Sequence, residues 1–267
     1  MAGALLFSCN ASADIKGDIL TEVQSIAEDT GVCVHHEYNA ETFFPADWRD
    51  DELAARGQQV PSSEIKRVLP LIRRFLAAYP QDVLRMELTD IYLVSDLNIY
   101  GKSFGGTSSE NAIYINCSED ADNDFLLARL HSEFSSILMR NHSFPKDEWQ
   151  KQNPTAFQYL GSGVKMLDGD DLYGQSRRLL TNGFLVKYSQ SSVENDFNMI
   201  SDWIFTKRHK LETLCAKYPV LRKKCDLAVE FYKSVGCDFD INVAEPTREV
   251  RVASASPLSF LSRLFAD

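Results

Sequence analysis

The sequence predicts an α+β protein, a small mixed sheet in the N-terminal half followed by a helical C-terminal half. Three observations carry that expectation. The β-rich runs "VCVHHEYN", "RMELTDIYLVSDLNIYG" and "NAIYINC" all fall before residue 118. Apolar residues recur at helical spacing on either side of them. From residue 171 to residue 236 the pattern is almost wholly helical.

The elements follow in order. Residues 17–31 carry helical apolar spacing and end on Gly31, a helix stop. "VCVHHEYN" reads as a strand, on which His35 and His36 point to opposite faces and cannot readily share one ion. Residues 39–63 are polar and broken by Pro45 and Pro61, so they read as a long connection. "SSEIKRVLPLIRRFLAAYP" is an amphipathic helix with Ser62 and Ser63 as its cap and a kink expected at Pro70. The two long β-runs are separated by "KSFGGTSSE", whose glycines suggest a hairpin turn. It lacks the lysine and spacing of a phosphate loop. A helix over "LLARLHSEFSSILMRNH" comes next, capped by Ser118 or Asp122, and three helical stretches complete the half.

The chain has 267 residues, 44% of them hydrophobic and 25% charged, which suits a globular protein with a substantial core. Its net charge of -10 argues against a nucleic-acid partner, because phosphate recognition needs a basic face. None of the six cysteines forms a CxxC pair, so a zinc ribbon is not expected. Cys215 and Cys225 share one helical region with Cys237 just beyond, and either a disulfide or buried free thiols would suit them. "MAGALLFSCNASAD" begins with a short apolar run ending Leu6-Phe7-Ser8-Cys9. It resembles the lipobox of bacterial lipoproteins and implies that Cys9 is lipidated. No later stretch reaches the roughly 18 apolar residues of a membrane helix, so membrane attachment is expected only through that anchor. The expected organisation is a leader-like segment and linker over 1–16, a domain over 17–236 and a tail over 237–267.

The chemistry centres on "HSEFSS", residues 131–136. In an HExxH helix, histidines at i and i+4 bind zinc and the Glu between them acts on the zinc-bound water. With Glu133 as that Glu, the two ligand positions hold Ser132 and Ser136, and hydroxyls are poor zinc ligands. His131 lies about 100° around the helix from the first ligand position. Serines in mid-helix, with no GxSxG elbow, do not suit a serine nucleophile either.

Taken together, "LHSEFSSILMRNHSFPKDEW", "NPTAFQYLGSG", "LLTNGFLVKYSQSSVENDFNMISDWIFT" and "YPVLRKKCDLAVEFYKSVG" resemble a bacterial family of zincin-like zinc-binding metallopeptidases, many of them lipoproteins. Glu133-Phe134 and Ile137-Leu138 match that family's HEFxHIL helix. Glu194, Asp196 and Phe197 match its later acidic segment, and the resemblance runs over residues 17–236. It implies a zincin-like fold, Glu133 as general base, Glu194 or Asp196 as third metal ligand, and a cleft in which Tyr188 could stabilise an oxyanion. The departure at Ser132 and Ser136 implies a degenerate site that binds no tight zinc. The expected function is then that of an inactive metallopeptidase-like protein binding a peptide or glycan at the cell envelope. The alternative is an active metal-dependent peptidase with a nonstandard set of His131 and Glu194 or Asp196, zinc as its cofactor and Glu133 as base. His131 as a satisfied interior histidine, and His142 on the last helical turn, are the plainer readings of those two residues.

Overall fold

A computed structural model describes residues 3–238, apart from residues 51, 162, 164, 165 and 167–170; the side chains of residues 3–15 are also outside the description. The chain divides after Cys237, and the expected tail over 237–267 lies outside the described residues except for Cys237 and Asp238. The Cys9 side chain, expected to carry the lipid, is outside them as well.

Helix α1 (Gly3–Thr30) stops at Gly31, whose φ of 81° closes the last turn. Three strands then build one sheet: β1 (Cys33–His35), β3 (Asp90–Ile99) and β6 (Ala112–Asn116) run parallel, with β3 in the middle. The β1 strand is shorter than the run "VCVHHEYN" suggested. Between β1 and α2 lies β2 (Arg56–Gln58), a short strand inside the polar connection that pairs antiparallel with the far half of β3. Asp96, in left-handed backbone at φ 52°, marks the change. Up to Val94 β3 serves the parallel sheet, and from Ser95 onward it pairs with β2 and with β4 (Lys102–Ser103).

The expected hairpin between the two β-runs is corrected here, because β3 and β6 are parallel. The intervening residues fold back as β4 and then form a strand of their own, β5 (Gly106–Ser108), antiparallel to β6. Alternating pairing explains why so short a segment holds its register. Asn116 N–H donates to Gly105 C=O at 3.0 Å and Ser109 N–H to Ala112 C=O at 2.9 Å. Thr107 is thus directed at β6, and the backbone groups of Gly106 and Ser108 point outward. Among the described residues β5 pairs only with β6, so it is an open sheet edge.

Phe43, Phe44, Val94, Leu97 and Tyr114 fill one small core, so the polar connection contributes two of its phenylalanines. Helix α2 (Ser62–Leu76) starts after Pro61, which makes no side-chain cap bond; the expected serine cap is therefore absent, with Ser62 already inside the first turn. Helix α3 (Gln81–Glu87) leads into the sheet. Helix α4 (Asn123–Asn141) is capped by Asp122, whose carboxylate accepts from Phe125 N–H at 2.7 Å. It packs against the sheet, α2 and α7, with Phe134 wholly buried against Phe75 and Tyr79.

The helical half comprises short α5 (Lys146–Gln150) and α6 (Arg177–Thr181), then α7 (Val193–Thr206), α8 (Arg208–Lys217) and α9 (Pro219–Ser234). Pro219 splits the last expected helix in two. At the centre of this half the Asp196 carboxylate of α7, wholly buried, accepts from Lys224 Nζ of α9 at 2.7 Å, from Tyr159 OH at 2.7 Å and from Trp149 Nε1 of α5 at 2.9 Å. Lys224 also lies 4.1 Å from the Phe184 ring centre. Desolvation pushes Asp196 up and Lys224 down, and their attraction opposes both shifts. Removing one partner leaves a bare buried charge. Lys224→Met should therefore cost about 3–5 kcal/mol in urea denaturation, and adding Asp196→Asn should restore much of it.

Candidate active site

The sequence-selected residues lie on α4 and α7, but on different faces. Glu133 is half-buried and faces β5. Its Oε2 accepts from Ser108 Oγ at 3.1 Å, and a Cβ on Gly106 would stand 3.2 Å from its Cγ, so β5 passes directly over the carboxylate. Ser108 Oγ in turn accepts from Arg140 Nη2 at 3.0 Å, and Arg140 Nη1 reaches Glu194 Oε1 at 3.3 Å. A continuous polar chain thus links Glu133 to Glu194 through Ser108 and Arg140. Arg140 also donates to Ser109 C=O at 2.6 Å, tying the helix to the end of the edge strand.

The periodicity of α4 explains the arrangement. Arg129, Glu133 and Arg140 fall at i, i+4 and i+11, on one face. Burial is the main influence on Glu133 and raises its carboxyl to about 7, against the pull of Arg129, Ser108 and Arg140 and with Glu194 adding to the rise. Tyr188 is half-buried in range of Glu133 and Glu194; burial first, then neighbouring charges, raise its phenol to about 12, so it stays a hydrogen-bond donor at neutral pH.

Ser132 and Ser136, at the ligand positions, face α7 instead. Ser136 Oγ accepts from Asn198 Nδ2 at 2.7 Å, and Ser135 Oγ donates to Asn198 Oδ1 at 2.7 Å. Ser132 Oγ is buried without a hydrogen-bond partner. Asn198 thus locks a seam of small polar residues between the helices.

His131 points the other way, about 200° around the helix from Glu133. It is 2% exposed, its Nδ1 lies 2.9 Å from Tyr79 OH, and its ring stacks on Phe205 at 4.3 Å. Burial lowers it to about 3, so it is neutral throughout the physiological range. His142 ends α4 with Nε2 2.9 Å from Glu87 Oε1, and His35 pairs with Asp90 at 2.6 Å. The structure therefore brings Glu133, Glu194 and Tyr188 to one region and keeps His131 and Asp196 out of it. Among the described residues, no three His, Cys, Asp or Glu side chains are grouped to hold a metal ion.

The donors present do not fit zinc. Both ligand positions hold hydroxyls, which are poor zinc donors, Ser136 bonded to Asn198 and Ser132 buried without a partner; the one nearby imidazole is stacked in the interior, Glu194 is paired with Arg140, and Asp196 with Lys224. Sequence reasoning missed Ser108, Arg129, Arg140 and Asn198. Only the two arginines carried a signal, their spacing from Glu133.

No protein-family model matches the chain, and no curated protein matches it in sequence. Among solved structures, the fold is shared with a Bacteroides caccae protein described as a "putative zinc-binding metallo-peptidase", at a TM-score of 0.53 and 14% identity over 83% of this chain and 86% of that one. The likeness is one of fold, a metallopeptidase-like α+β architecture.

A raised carboxyl has a definite linkage sign. Between an unfolded value near 4.5 and a folded value near 7 the native state holds the extra proton, so Glu133 contributes stability at low pH that is lost as pH rises through 7. His131 acts in the opposite sense below about 6.5. Glu133→Gln should therefore gain stability relative to the parent by about 1–2 kcal/mol between pH 5.5 and pH 8.5, read by urea titration at both values; the half-exposure of Glu133 keeps the figure below the full shift.

Proposed function

We propose that this chain is a zincin-like metallopeptidase relative whose metal site has been replaced by a polar seam, and that it binds an extended peptide without hydrolysing it. The observation that carries the reading is the division of labour on α4. The two ligand positions are buried hydroxyls, one of them bonded to Asn198 of α7, while Glu133 keeps its place beside an open sheet edge. A peptide laid along β5 would pair with the outward N–H and C=O groups of Gly106 and Ser108, a strand addition. Glu133, Arg140 and Glu194 would then meet its polar side chains. A glycan could use the same donors, but the unpaired strand edge favours a peptide.

The location follows from the sequence rather than the fold. We place the protein at the bacterial cell envelope, lipid-anchored through Cys9. Among the described residues no helix is long and apolar enough to cross a membrane.

A random library of unstructured peptides, incubated with the protein with and without added zinc, separates binding from cleavage. Retention on the protein without new peptide termini in the mass spectrum is expected. Ser108→Ala, which keeps the edge N–H, should retain binding, whereas Ser108→Pro, which removes it, should lose at least tenfold. Zinc-dependent cleavage abolished by Glu133→Gln would overturn the reading.

A further inference from the structure

Helices α8 and α9 meet at Tyr218, a single residue between them, and fold back as a hairpin. Where they touch, Cys215 Sγ and Cys225 Sγ are 2.9 Å apart, and both residues are buried, at 5% and 7% exposure. Two sulfurs at that separation need only a small rotation about their side-chain bonds to reach bonding distance. All five described cysteines, Cys33, Cys117 and Cys237 besides these two, are free thiols in the structure.

We propose that Cys215 and Cys225 are a disulfide-forming pair, oxidised as the hairpin closes and then sealed inside the fold. Either thiol, once deprotonated, can open the exchange, here Cys215. It attacks one sulfur of an external disulfide, such as oxidised glutathione, and releases the other half as a thiolate. Cys225 gives up its proton and attacks the Cys215 sulfur of the mixed disulfide, releasing the second half. Two protons and two electrons pass from the cysteines to the external disulfide, which leaves as two thiols. Because both sulfurs are shielded in the folded chain, the exchange belongs to folding, and the closed bond is protected from reductants afterwards.

The bond would also serve the interior. Lys224 immediately precedes Cys225 and is the cation beneath Asp196. Fixing Cys225 to α8 fixes the register of α9 and keeps that lysine in place. The inference is independent of the proposed peptide binding, although an oxidising envelope would supply the oxidant.

The test uses the full chain refolded with a mixture of reduced and oxidised glutathione. Non-reducing digestion and mass spectrometry should find the Cys215 and Cys225 peptides joined, with a mass lower by two hydrogens than the separate peptides. Dithiothreitol added after unfolding should lower the melting temperature of the refolded protein by about 5–10 °C, from closure of a short loop in a chain of this size. Cys215→Ser and Cys225→Ser should each melt at the reduced parent's temperature and ignore dithiothreitol. Separate peptides with both thiols alkylated, or a link from either cysteine to Cys33, Cys117 or Cys237, would overturn the proposal. Should one serine variant fail to fold, Cys215→Ala with Cys225→Ala, which keeps the pocket apolar, gives the same comparison.

Discussion

The arrangement depends on one buried carboxylate. Asp196 sits in the first turn of α7 with no exposure to solvent, and it is tolerable there only because three other side chains donate to it. The Lys224 ammonium neutralises it, while Trp149 and Tyr159 occupy the same oxygen with neutral hydrogen bonds. Such a cluster is worth little as net stability, since desolvation of both ions offsets most of the attraction. Its effect is to make a single placement of α7 acceptable. With Asp196 held through its Oδ2, Asn198 two residues later is presented to α4, where it meets Ser135 and Ser136.

That placement explains why a family-matching acid is not a metal ligand here. Asp196 and Glu194 are two residues apart and so leave the helix in widely different directions. One turns into the core and is neutralised by Lys224. The other remains half-exposed beside Arg140 and joins the charges under β5. Ser135 and Ser136 complete the division, since a hydroxyl satisfied by an amide needs no cation. The face of α4 that would hold a metal is instead packed against α7, and the adjacent face keeps Glu133 under a strand edge.

Much of this was legible in the sequence, but unevenly. Helices α2, α4, α7 and α9 follow from long amphipathic periods, and the cap at Asp122 uses a side-chain oxygen that sequence readily marks. Glu133 was visible because a motif frames it. The short strands β2 and β5 were not, because three residues carry no period, and β2 in addition pairs with a partner dozens of positions away. The parallel relation of β3 and β6 was hidden for the same reason, glycines in the connection suggesting a simple turn. Lys224, 28 residues from Asp196, looked like one basic residue in a basic run. Its burial depends on the hairpin of α8 and α9, a tertiary fact. The same holds for Asn198, an ordinary polar residue until α4 is laid beside it.

The central claim is that hydroxyls and an amide have taken over where a metal would sit. The most direct measurement is elemental analysis of protein purified without chelators, dialysed against excess zinc and then desalted, with Glu194→Ala treated identically. The account predicts far less than one zinc per chain in both, with no difference between them. About one zinc per parent chain, lost in Glu194→Ala, would contradict it and place a working metal site on the α4 and α7 pair.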